Sequence, residues 1–185
     1  DAEGNLVVAT QSGGWLSSSP VVPGLGFPLG TRGQMTWLAD GHPNSLAPSR
    51  RPRTTLSPTI VRPADGRPMI AFGTPGGDQQ DQWTLHFLLN VLDFGLSPQA
   101  ATEAVTFHTD HLTSSFTPRQ IRRRVVVMER DAPPETVAAL PARGHDMDLA
   151  PEQSLGKVCA TGHTESGVVL AAASARGQQA YAVAR

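Results

Sequence analysis

The spacing of apolar and polar residues predicts a chain of short strands and three helices. Apolar runs favour strands at 6–10, 54–61, 69–72, 122–129, 157–161, 167–173 and 180–184. A period of 3.6 residues favours helices at 78–94, 98–105 and 133–143. Because strands and helices are mixed without a clean βαβ alternation, the pattern predicts an α+β fold, with an antiparallel hairpin around the turn "RPADGRP".

The longest predicted helix has a continuous apolar face and defined ends. Its apolar face carries Trp83, Phe87, Leu88, Val91 and Leu92. Gly95 suits the left-handed position just after a helix, where a residue without Cβ is favoured. Ser97 followed by Pro98 is typical of an N-cap and the first residue of the next helix.

Composition restricts the classes of function. The 185 residues are enough for one domain with a hydrophobic core, so 1–185 is predicted to be a single domain. A formal net charge of −1 gives no reason to expect nucleic acid or an anionic membrane as a partner. No apolar run approaches the ~20 residues of a membrane-spanning helix. The single cysteine, Cys159, excludes an internal disulfide and a multi-cysteine zinc site, and we expect it to pack as a small apolar side chain.

A glycine-rich turn, Gly73-Thr74-Pro75-Gly76-Gly77, connects a predicted strand to the longest helix. A phosphate-binding P-loop would need Lys and Ser or Thr at the end of the turn, and the spacing of the glycines does not fit a dinucleotide fingerprint. Two interpretations remain from the residues alone. Unshielded N–H groups before a helix can form an oxyanion hole, or the glycines can simply provide a tight turn.

The start of the chain resembles the loop of a β-hairpin whose first strand is missing. Residues 1–5, "DAEGN", have a turn composition and run directly into the apolar residues 6–10. One interpretation is that the chain is a piece of a larger protein that lacks this first strand. An ordinary frayed start is the alternative.

Several segments together resemble the small subunit of the γ-glutamyltranspeptidase family, which belongs to the N-terminal-nucleophile hydrolases. The resemblance rests on "RRPRTTLSPTIV" followed by "GTPGGDQQ", and on "DAEGNLVVATQS", "DFGLSPQAATEAVTFH" and "GVVLAAASARGQQAYA". It covers essentially the whole chain. It implies a layered αββα sandwich to which this chain contributes part of both sheets.

The resemblance also implies roles for particular residues. Gly76 and Gly77 match the oxyanion donors, and Ser12 matches a hydroxyl residue near the α-amine of the nucleophile. Thr54 and Thr55 match the paired hydroxyls that hold the substrate carboxylate. The nucleophile of the family is a threonine exposed by self-cleavage, which would lie a few residues before residue 1. The fragment alone is therefore expected to be inactive.

Other positions depart from the pattern of the family. Gly14 stands where most members have Asn, and the segment "GTRGQMTWLADGHPNSLAP" lacks the acidic pair that binds the glutamyl α-amine. Arg32 lies in this segment and is a candidate substrate-binding residue. These departures favour a divergent, acylase-like branch whose substrates include other acylated amines.

The remaining polar clusters suggest no cofactor and no metal site. His108, Asp110 and His111 lie close together in sequence, but the spacing is unsuited to one ion and no third type of ligand is obvious. His86, within the helix, is expected to be a partly buried, satisfied histidine. The arginines at 122–124 are interpreted as a solvated strand edge.

The sequence leads to two functional hypotheses. The first is the small-subunit part of an acyl-transferring or hydrolysing enzyme, γ-glutamyl-specific or acting on other amides, which needs no cofactor. Its partners would be the large subunit of the same precursor and an acyl-amide small molecule, and bare sheet edges would favour self-association. The second is a non-catalytic binding module that retains the fold. The compartment stays open, with the cytoplasm favoured.

Overall fold

The computed structural model describes residues 3, 5–13, 19–62, 64, 69–163, 166–177 and 180–183. Three α-helices lie at Gln80–Leu92 (α1), Pro98–Glu103 (α2) and Pro134–Ala142 (α3). Seven strands lie at Thr59–Val61 (β1), Ile70–Gly73 (β2), Phe107–Thr109 (β3), Val125–Glu129 (β4), Asp146–Ala150 (β5), Cys159–His163 (β6) and Val169–Ala173 (β7). Short 3₁₀ helices occupy Arg32–Met35, Gly77–Gln79 and Ala175–Gly177.

The larger sheet contains four antiparallel strands in the order β1-β2-β6-β7. The predicted hairpin is confirmed, because Thr59 pairs with Phe72 and Val61 with Ile70. The turn that joins these strands falls mostly outside the described residues. The central strand β2 ends at Gly73, where the glycine-rich turn begins.

Helices α1 and α2 cover one face of this sheet and complete its core. The buried cluster contains Ile70, Phe72, Phe87, Ala101, Val158, Ala160 and Ala172. The rings of Phe72 and Phe87 lie 4.8 Å apart between centroids, which fixes α1 against β2. Burying a side chain of this size stabilises the fold by about 1.5–3 kcal/mol. Since β2 leads directly to the turn, the core also fixes where the turn begins.

The predicted stop signal after α1 and the predicted start of α2 are confirmed, although both helices are about two residues shorter than predicted at their C-terminal ends. Gly95 has φ +69°, and the Leu96 N–H donates to the Asn90 carbonyl at 2.9 Å, as expected where a left-handed residue ends a helix. The Ser97 hydroxyl accepts from the Ala100 N–H at 3.2 Å and caps α2, whose first residue is Pro98.

The smaller sheet contains β3, β4 and β5 and includes a parallel pair that the sequence pattern did not predict. Strands β4 and β5 are parallel and are joined through α3, whereas β3 is antiparallel to β4. Two of these strands were missed. β3 has only three residues, and β5 reads "DMDLA", whose carboxylates hide the strand pattern. In the structure Arg124 of the neighbouring segment pairs with Asp146 at 3.1 Å, so these charges lie at the solvent.

Two predicted strands are wrong. Residues 6–10 alternate between exposed and half-buried positions as a strand would, but no described segment pairs with their backbone. Residues 180–183 form no strand either, and the 3₁₀ helix Ala175–Gly177 precedes them. An apolar alternation becomes a strand only where a partner supplies the ladder of hydrogen bonds.

A buried ion pair connects the two sheets. The Arg176 Nη2 and Glu129 Oε2 atoms lie 2.6 Å apart, and the two side chains are 1% and 0% exposed. Glu129 ends β4, and its carboxylate also accepts from the backbone N–H groups of Thr106, Ser154 and Leu155. Arg176 donates in addition to the carbonyl of Ala104 at 2.9 Å. Every polar atom of the pair therefore has a partner, as a buried charge requires.

Large apolar side chains are exposed on several parts of the surface. The most exposed are Val7, Leu38, Phe94, Leu112 and Tyr181, each more than 70% accessible. Among the described residues, no helix is both long enough and apolar enough to cross a membrane.

Candidate active site

The glycine-rich turn forms one wall of a cavity of about 760 Å³. The cavity lies between this turn, the segment 8–13, the 3₁₀ helix Arg32–Met35 and the start of β6. Its lining residues that bear on function are Ser12, Arg32, Gly76, Gly77, Gln80, Lys157 and Cys159. Four of the six candidate residues from the sequence, Ser12, Arg32, Gly76 and Gly77, therefore lie around one cavity.

The backbone of the turn adopts conformations that favour glycine. Gly76 has φ +139° and Gly77 has φ +61°. A Cβ atom built on Gly76 would lie 2.1 Å from Cζ3 of Trp83, so any side chain there would collide with a buried indole. Within the described part of the chain, neither the Gly76 nor the Gly77 N–H has an acceptor. Both groups are thus available to donate to a negative oxygen.

Buried polar side chains hold the turn in place. Thr74 is 3% exposed, and its hydroxyl accepts from the Lys157 N–H at 2.9 Å, which joins the turn to the segment before β6. Gln80, 2% exposed at the start of α1, lies between the carbonyl oxygens of Thr55 and Thr74. Its amide nitrogen, turned toward them, donates to these oxygens at 3.2 and 3.0 Å. Sequence reasoning missed both residues, although a Gln in the first turn of an otherwise apolar helix face is a visible signal.

Ser12 is exposed on the opposite side of the cavity, in a segment without regular structure. The Thr31 N–H donates to the Gly13 carbonyl, which ties this segment to the residues just before Arg32. The same segment also contacts the end of β2. A Cβ atom built on Gly73 would lie only 2.8 Å from the Thr10 hydroxyl oxygen. The segment therefore runs directly past the beginning of the glycine-rich turn.

Arg32 provides one of the two positive charges of the described cavity wall, the other being Lys157. Its Nη1 donates to the Thr55 hydroxyl and lies near the Met35 sulfur, each at 3.3 Å, and its guanidinium lies 5.7 Å from the centre of the Phe116 ring. Its Nε atom is buried and has no hydrogen-bond partner. No carboxylate in the described ranges pairs with this arginine. The guanidinium is therefore only partly satisfied by the protein.

The two threonines occupy different environments. Thr55 is 8% exposed and reaches the site through its contact with Arg32, whereas Thr54 is exposed and its hydroxyl accepts from the Leu56 N–H at 3.1 Å. Neither threonine belongs to the lining of the cavity. Their role in holding a substrate carboxylate stays a prediction.

Cys159 does not pack as an apolar core residue, contrary to expectation. It is exposed and lies on the cavity wall. As the first residue of β6 it pairs with Gly73 on one side and Ala173 on the other. Its side chain therefore lies on the sheet face opposite to the core residue Ala160 that follows it.

A separate histidine pair lies behind the glycine-rich turn. The His108 ring contacts the edge of the Trp83 ring, and the His86 ring lies 4.1 Å from that of Phe107. Burial lowers the pKa of both imidazoles, and the neighbouring His108 lowers the pKa of His86 further. Within the described residues, the Nδ1 atoms of both rings have no hydrogen-bond partner. His86 is therefore partly buried, as expected, but its Nδ1 atom is not satisfied, contrary to expectation.

The candidate metal ligands of the sequence do not form a cluster of three in the described residues. His108 and Asp110 approach each other, with Nε2 and Oδ1 3.4 Å apart. The His111 Nδ1 instead accepts from the Arg124 N–H at 3.1 Å. Two of the three predicted surface arginines also have acidic partners: Arg122 lies 2.6 Å from Asp148, and Arg124 pairs with Asp146.

The two-sheet α+β fold, with a glycine-rich turn between a central strand and a helix, is the fold class that the sequence predicted. The family model described as gamma-glutamyltranspeptidase matches residues 1–184. The chain therefore belongs to the gamma-glutamyltranspeptidase family.

Curated relatives include both glutathione hydrolases and acylases. The glutathione hydrolase proenzyme of Pseudomonas sp. (strain A14) is 32% identical over 126 residues, which is 62% of this chain and 22% of that protein. The Acylase ACY 1 proenzyme of Pseudomonas sp. (strain SE83) is 32% identical over 161 residues, 84% of this chain and 26% of that protein. The chain thus spans about a fifth to a quarter of the length of the curated relatives it matches.

Solved structures share the fold. LmbA2991HD is 53% identical, with a TM-score of 0.84 over 94% of this chain and 31% of that chain. The gamma-glutamyltranspeptidase from Pseudomonas nitroreducens complexed with L-DON is 24% identical, with a TM-score of 0.75 over 100% of this chain and 96% of that chain. The α+β fold of the N-terminal-nucleophile hydrolases predicted from the sequence is confirmed.

Proposed function

We propose that this chain is the small-subunit part of an enzyme that transfers or hydrolyses an acyl group through an acyl-threonine intermediate. The observation that carries the proposal is the pair of unpaired N–H groups at Gly76 and Gly77 on the wall of the large cavity. A turn that only reversed the chain would not need two N–H groups without an acceptor among the described residues, beside hydroxyl and cationic side chains.

The proposed reaction has two stages. A threonine that precedes residue 1 in the precursor attacks the carbonyl carbon of an amide, its own α-amine accepting the hydroxyl proton. The Gly76 and Gly77 N–H groups stabilise the tetrahedral oxyanion, and the C–N bond then breaks as the amine leaves with a proton. Water or another amine then attacks the threonine ester, releases the acyl group and restores the hydroxyl. Ser12 would orient the α-amine, and Thr54 and Thr55 would bind a substrate carboxylate directly or through Arg32.

The remainder of the precursor is the proposed partner. The exposed apolar side chains and the segment 6–10, which pairs with no described strand, are the surfaces that we expect another polypeptide to cover. The names of the curated relatives, which are proenzymes, support a large subunit made from the same precursor. The fragment on its own is proposed to be inactive because the nucleophile lies outside it.

An acylase acting on non-glutamyl amides is the second candidate. The match to Acylase ACY 1 covers more of this chain than the match to the glutathione hydrolase. In addition, the described cavity wall carries no carboxylate that could bind a glutamyl ammonium. A non-catalytic module with the same fold remains the alternative outside the enzyme class.

Expression of the full-length precursor tests the proposal. Intact-mass analysis should reveal two chains, the second beginning with a threonine shortly before residue 1. Purified material should then hydrolyse at least one chromogenic acyl anilide from a set that includes γ-glutamyl and simple acyl groups. An uncleaved precursor without any hydroxyl or thiol residue at that position would support the binding module instead.

A further inference from the structure

The loop 114–119 lies between the two walls of the cavity, and its attachment to Asp78 leads to an inference that rests on the proposed function of the same site. On one side, Phe116 lies against the glycine-rich turn, because a Cβ atom built on Gly77 would be 3.3 Å from Cε2 of its ring. On the other side, the same ring lies 5.7 Å from the Arg32 guanidinium. Phe116 also belongs to the lining of the cavity. The position of this loop therefore affects both walls.

Asp78, the residue directly after Gly77, holds this loop with its side chain. Its Oδ2 atom accepts from the Ser115 N–H at 2.8 Å and from the Ser114 hydroxyl at 3.1 Å. The Ser114 hydroxyl in turn accepts from the Phe116 N–H at 3.2 Å. Hydrogen bonds to a charged acceptor are stronger than those between neutral groups. The carboxylate thus fixes the backbone of the loop immediately before Phe116.

Arg119 fixes the far end of the loop. Its guanidinium donates to the Ser115 carbonyl at 2.9 Å and to the Thr36 carbonyl at 2.7 Å, and it lies 4.3 Å from the centre of the Trp37 ring. Thr36 and Trp37 directly follow the 3₁₀ helix Arg32–Met35, which forms the wall opposite the turn. Because the loop is held at this end, its hydrogen bonds to Asp78 fix the turn relative to the opposite wall.

The turn needs such a support because its glycines have few restraints of their own. Gly77 has φ +61° and no side chain, and neither its N–H nor that of Gly76 has an acceptor among the described residues. The Trp83 ring restrains the turn on the Gly76 side. On the other side, the restraint is the pair of hydrogen bonds that Asp78 accepts. Misplacing a group that acts in the transition state by about 1 Å can lower the rate by about 10²-fold.

The surroundings of Asp78 also compensate its charge. A carboxylate near a developing negative oxygen would oppose that charge if it were unpaired. Here Oδ2 accepts two hydrogen bonds, and Oδ1, which has none within the described residues, lies 3.8 Å from Nη2 of Arg53. Asp78 is also absent from the lining of the cavity. Its carboxylate is therefore suited to hold the turn in place rather than to contact a substrate.

We propose that Asp78 is a positioning residue that directs the Gly77 N–H toward the oxyanion of the tetrahedral intermediate by accepting hydrogen bonds from Ser114 and Ser115. It acts through the turn and the loop 114–119. Since the accepted hydrogen bonds carry the effect, an amide oxygen at the same position should replace the carboxylate. Loss of positioning should lower kcat more than it raises KM, because the oxyanion does not exist in the bound substrate.

Substitutions at position 78 test the proposal in the processed full-length enzyme, with the chromogenic acyl anilide that the unaltered enzyme hydrolyses fastest. Asp78→Ala should lower kcat by roughly 10- to 100-fold and change KM by less than about threefold. Asp78→Asn, whose side-chain oxygen can accept the same two hydrogen bonds, should keep kcat within about fivefold. Asp81→Ala is the matched control, since it removes an exposed carboxylate from the first turn of α1, and it should leave kcat as it is.

Ser114→Ala tests the other side of the contact and does not depend on whether Asp78→Ala folds. It removes one of the two donors to Asp78 and should lower kcat by roughly 3- to 10-fold. In the Asp78→Ala background the same substitution should have a clearly smaller effect, because the two residues act together. An unchanged kcat in Ser114→Ala, or equal losses of kcat in Asp78→Asn and Asp78→Ala, would overturn the proposal. Losses of kcat that only follow losses of Tm would assign Asp78 to the fold alone.

Hydrogen exchange provides a readout that does not depend on turnover. In the full-length protein, Asp78→Ala should accelerate exchange in a peptide that spans residues 112–119, whereas Asp81→Ala should not. Unchanged exchange in Asp78→Ala contradicts the attachment of the loop. If the unaltered enzyme hydrolyses no anilide, the proposed function fails and the role of Asp78 fails with it. If it hydrolyses an anilide and Asp78→Ala keeps its kcat, only the role of Asp78 fails.

Discussion

At the scale of single residues, the site depends on the absence of a side chain at Gly76. Its φ of +139° and the Trp83 ring, 2.1 Å from where a Cβ would lie, both exclude alanine. We expect Gly76→Ala to displace the turn and to lower kcat/KM of the full-length enzyme by about 10²-fold or more, the effect of losing one oxyanion donor.

Gly95→Ala is the matched control for this substitution. Gly95 also has positive φ, +69°, but nothing lies within 4 Å of a Cβ there, and it ends α1 far along the helix from the turn. The control should lower stability by about 1 kcal/mol with kcat/KM retained. If both variants lost activity in proportion to stability, the oxyanion role of the turn would not stand.

Gln80 is the second residue on which the turn depends. Its amide nitrogen links the carbonyl oxygens of Thr55 and Thr74. Gln80→Met leaves the Thr74 carbonyl without a donor among the described residues, whereas the Thr55 carbonyl keeps only the Ser57 hydroxyl at 3.3 Å. We expect a loss of about 1–3 kcal/mol in the free energy of unfolding, together with a higher KM because Arg32 moves with Thr55. Thermal unfolding and steady-state kinetics measure the two effects. Gln82→Met, on a more exposed part of the same helix, should leave KM unchanged.

At the scale of secondary-structure elements, the Glu129–Arg176 pair holds β4, the end of α2 and the 3₁₀ helix Ala175–Gly177 together. Glu129→Gln leaves the Arg176 guanidinium buried without a counter-ion, which costs on the order of 3–5 kcal/mol. Arg124→Gln breaks an exposed pair with Asp146 and should change stability by less than about 1 kcal/mol. Equal shifts in Tm for the two variants would contradict the role given to the buried pair.

The elements that the sequence predicted correctly are those whose signals are local. The ends of α1 and α2 follow from Gly95 and from Ser97-Pro98, and the β1–β2 hairpin follows from two apolar runs around one turn. The segment 6–10 was predicted as a strand because it is an apolar run after a turn, but pairing depends on a partner that local patterning does not reveal. Strand β5 was missed for the opposite reason, since its carboxylates are balanced by arginines distant in the chain.

The candidate site was predictable to a similar extent. Motif resemblance indicated Gly76, Gly77 and Ser12, a departure from the family pattern indicated Arg32, and the fold brings these four to one cavity. It did not indicate Gln80 or Thr74, because their importance depends on which carbonyl or N–H group lies opposite them in space. It also did not reveal that Thr54 is exposed whereas Thr55 is buried, which depends on the packing of Arg32 against that segment.

At the scale of the whole molecule, the histidine pair should make stability depend on pH. Burial is the largest cause that lowers the pKa of both His86 and His108; for His108, Asp110 and Asp148 act in the opposite direction and Arg122 in the same direction. Since the unfolded chain binds protons more readily than the folded one, stability is complete above the ordinary histidine pKa of about 6.5 and falls as pH decreases below it.

A series of thermal unfolding measurements between pH 5 and 8 checks this expectation. Tm should fall toward the acidic end, and His86→Phe, which keeps a ring against Phe107, should flatten the profile. The titration of Glu129 does not contribute to the change in Tm between pH 5 and 8. Burial raises its pKa, but the hydrogen bonds from Arg176, Leu155 and Thr106 outweigh burial and leave the pKa lowered, so its contribution is lost only at more acidic pH.

The packing of Trp83 has a consequence for how this chain can change over evolutionary time. The indole is held between Gly76, which belongs to the turn, and Gly156, where a Cβ would lie 3.2 Å from the ring. A mutation that gives either glycine a side chain is tolerable only if a smaller residue replaces Trp83, and that residue leaves a gap beside the glycine-rich turn. We therefore expect positions 76, 83 and 156 to change together during evolution. Descendants that replace Trp83 by a smaller residue should be those in which the glycine-rich turn changes its conformation.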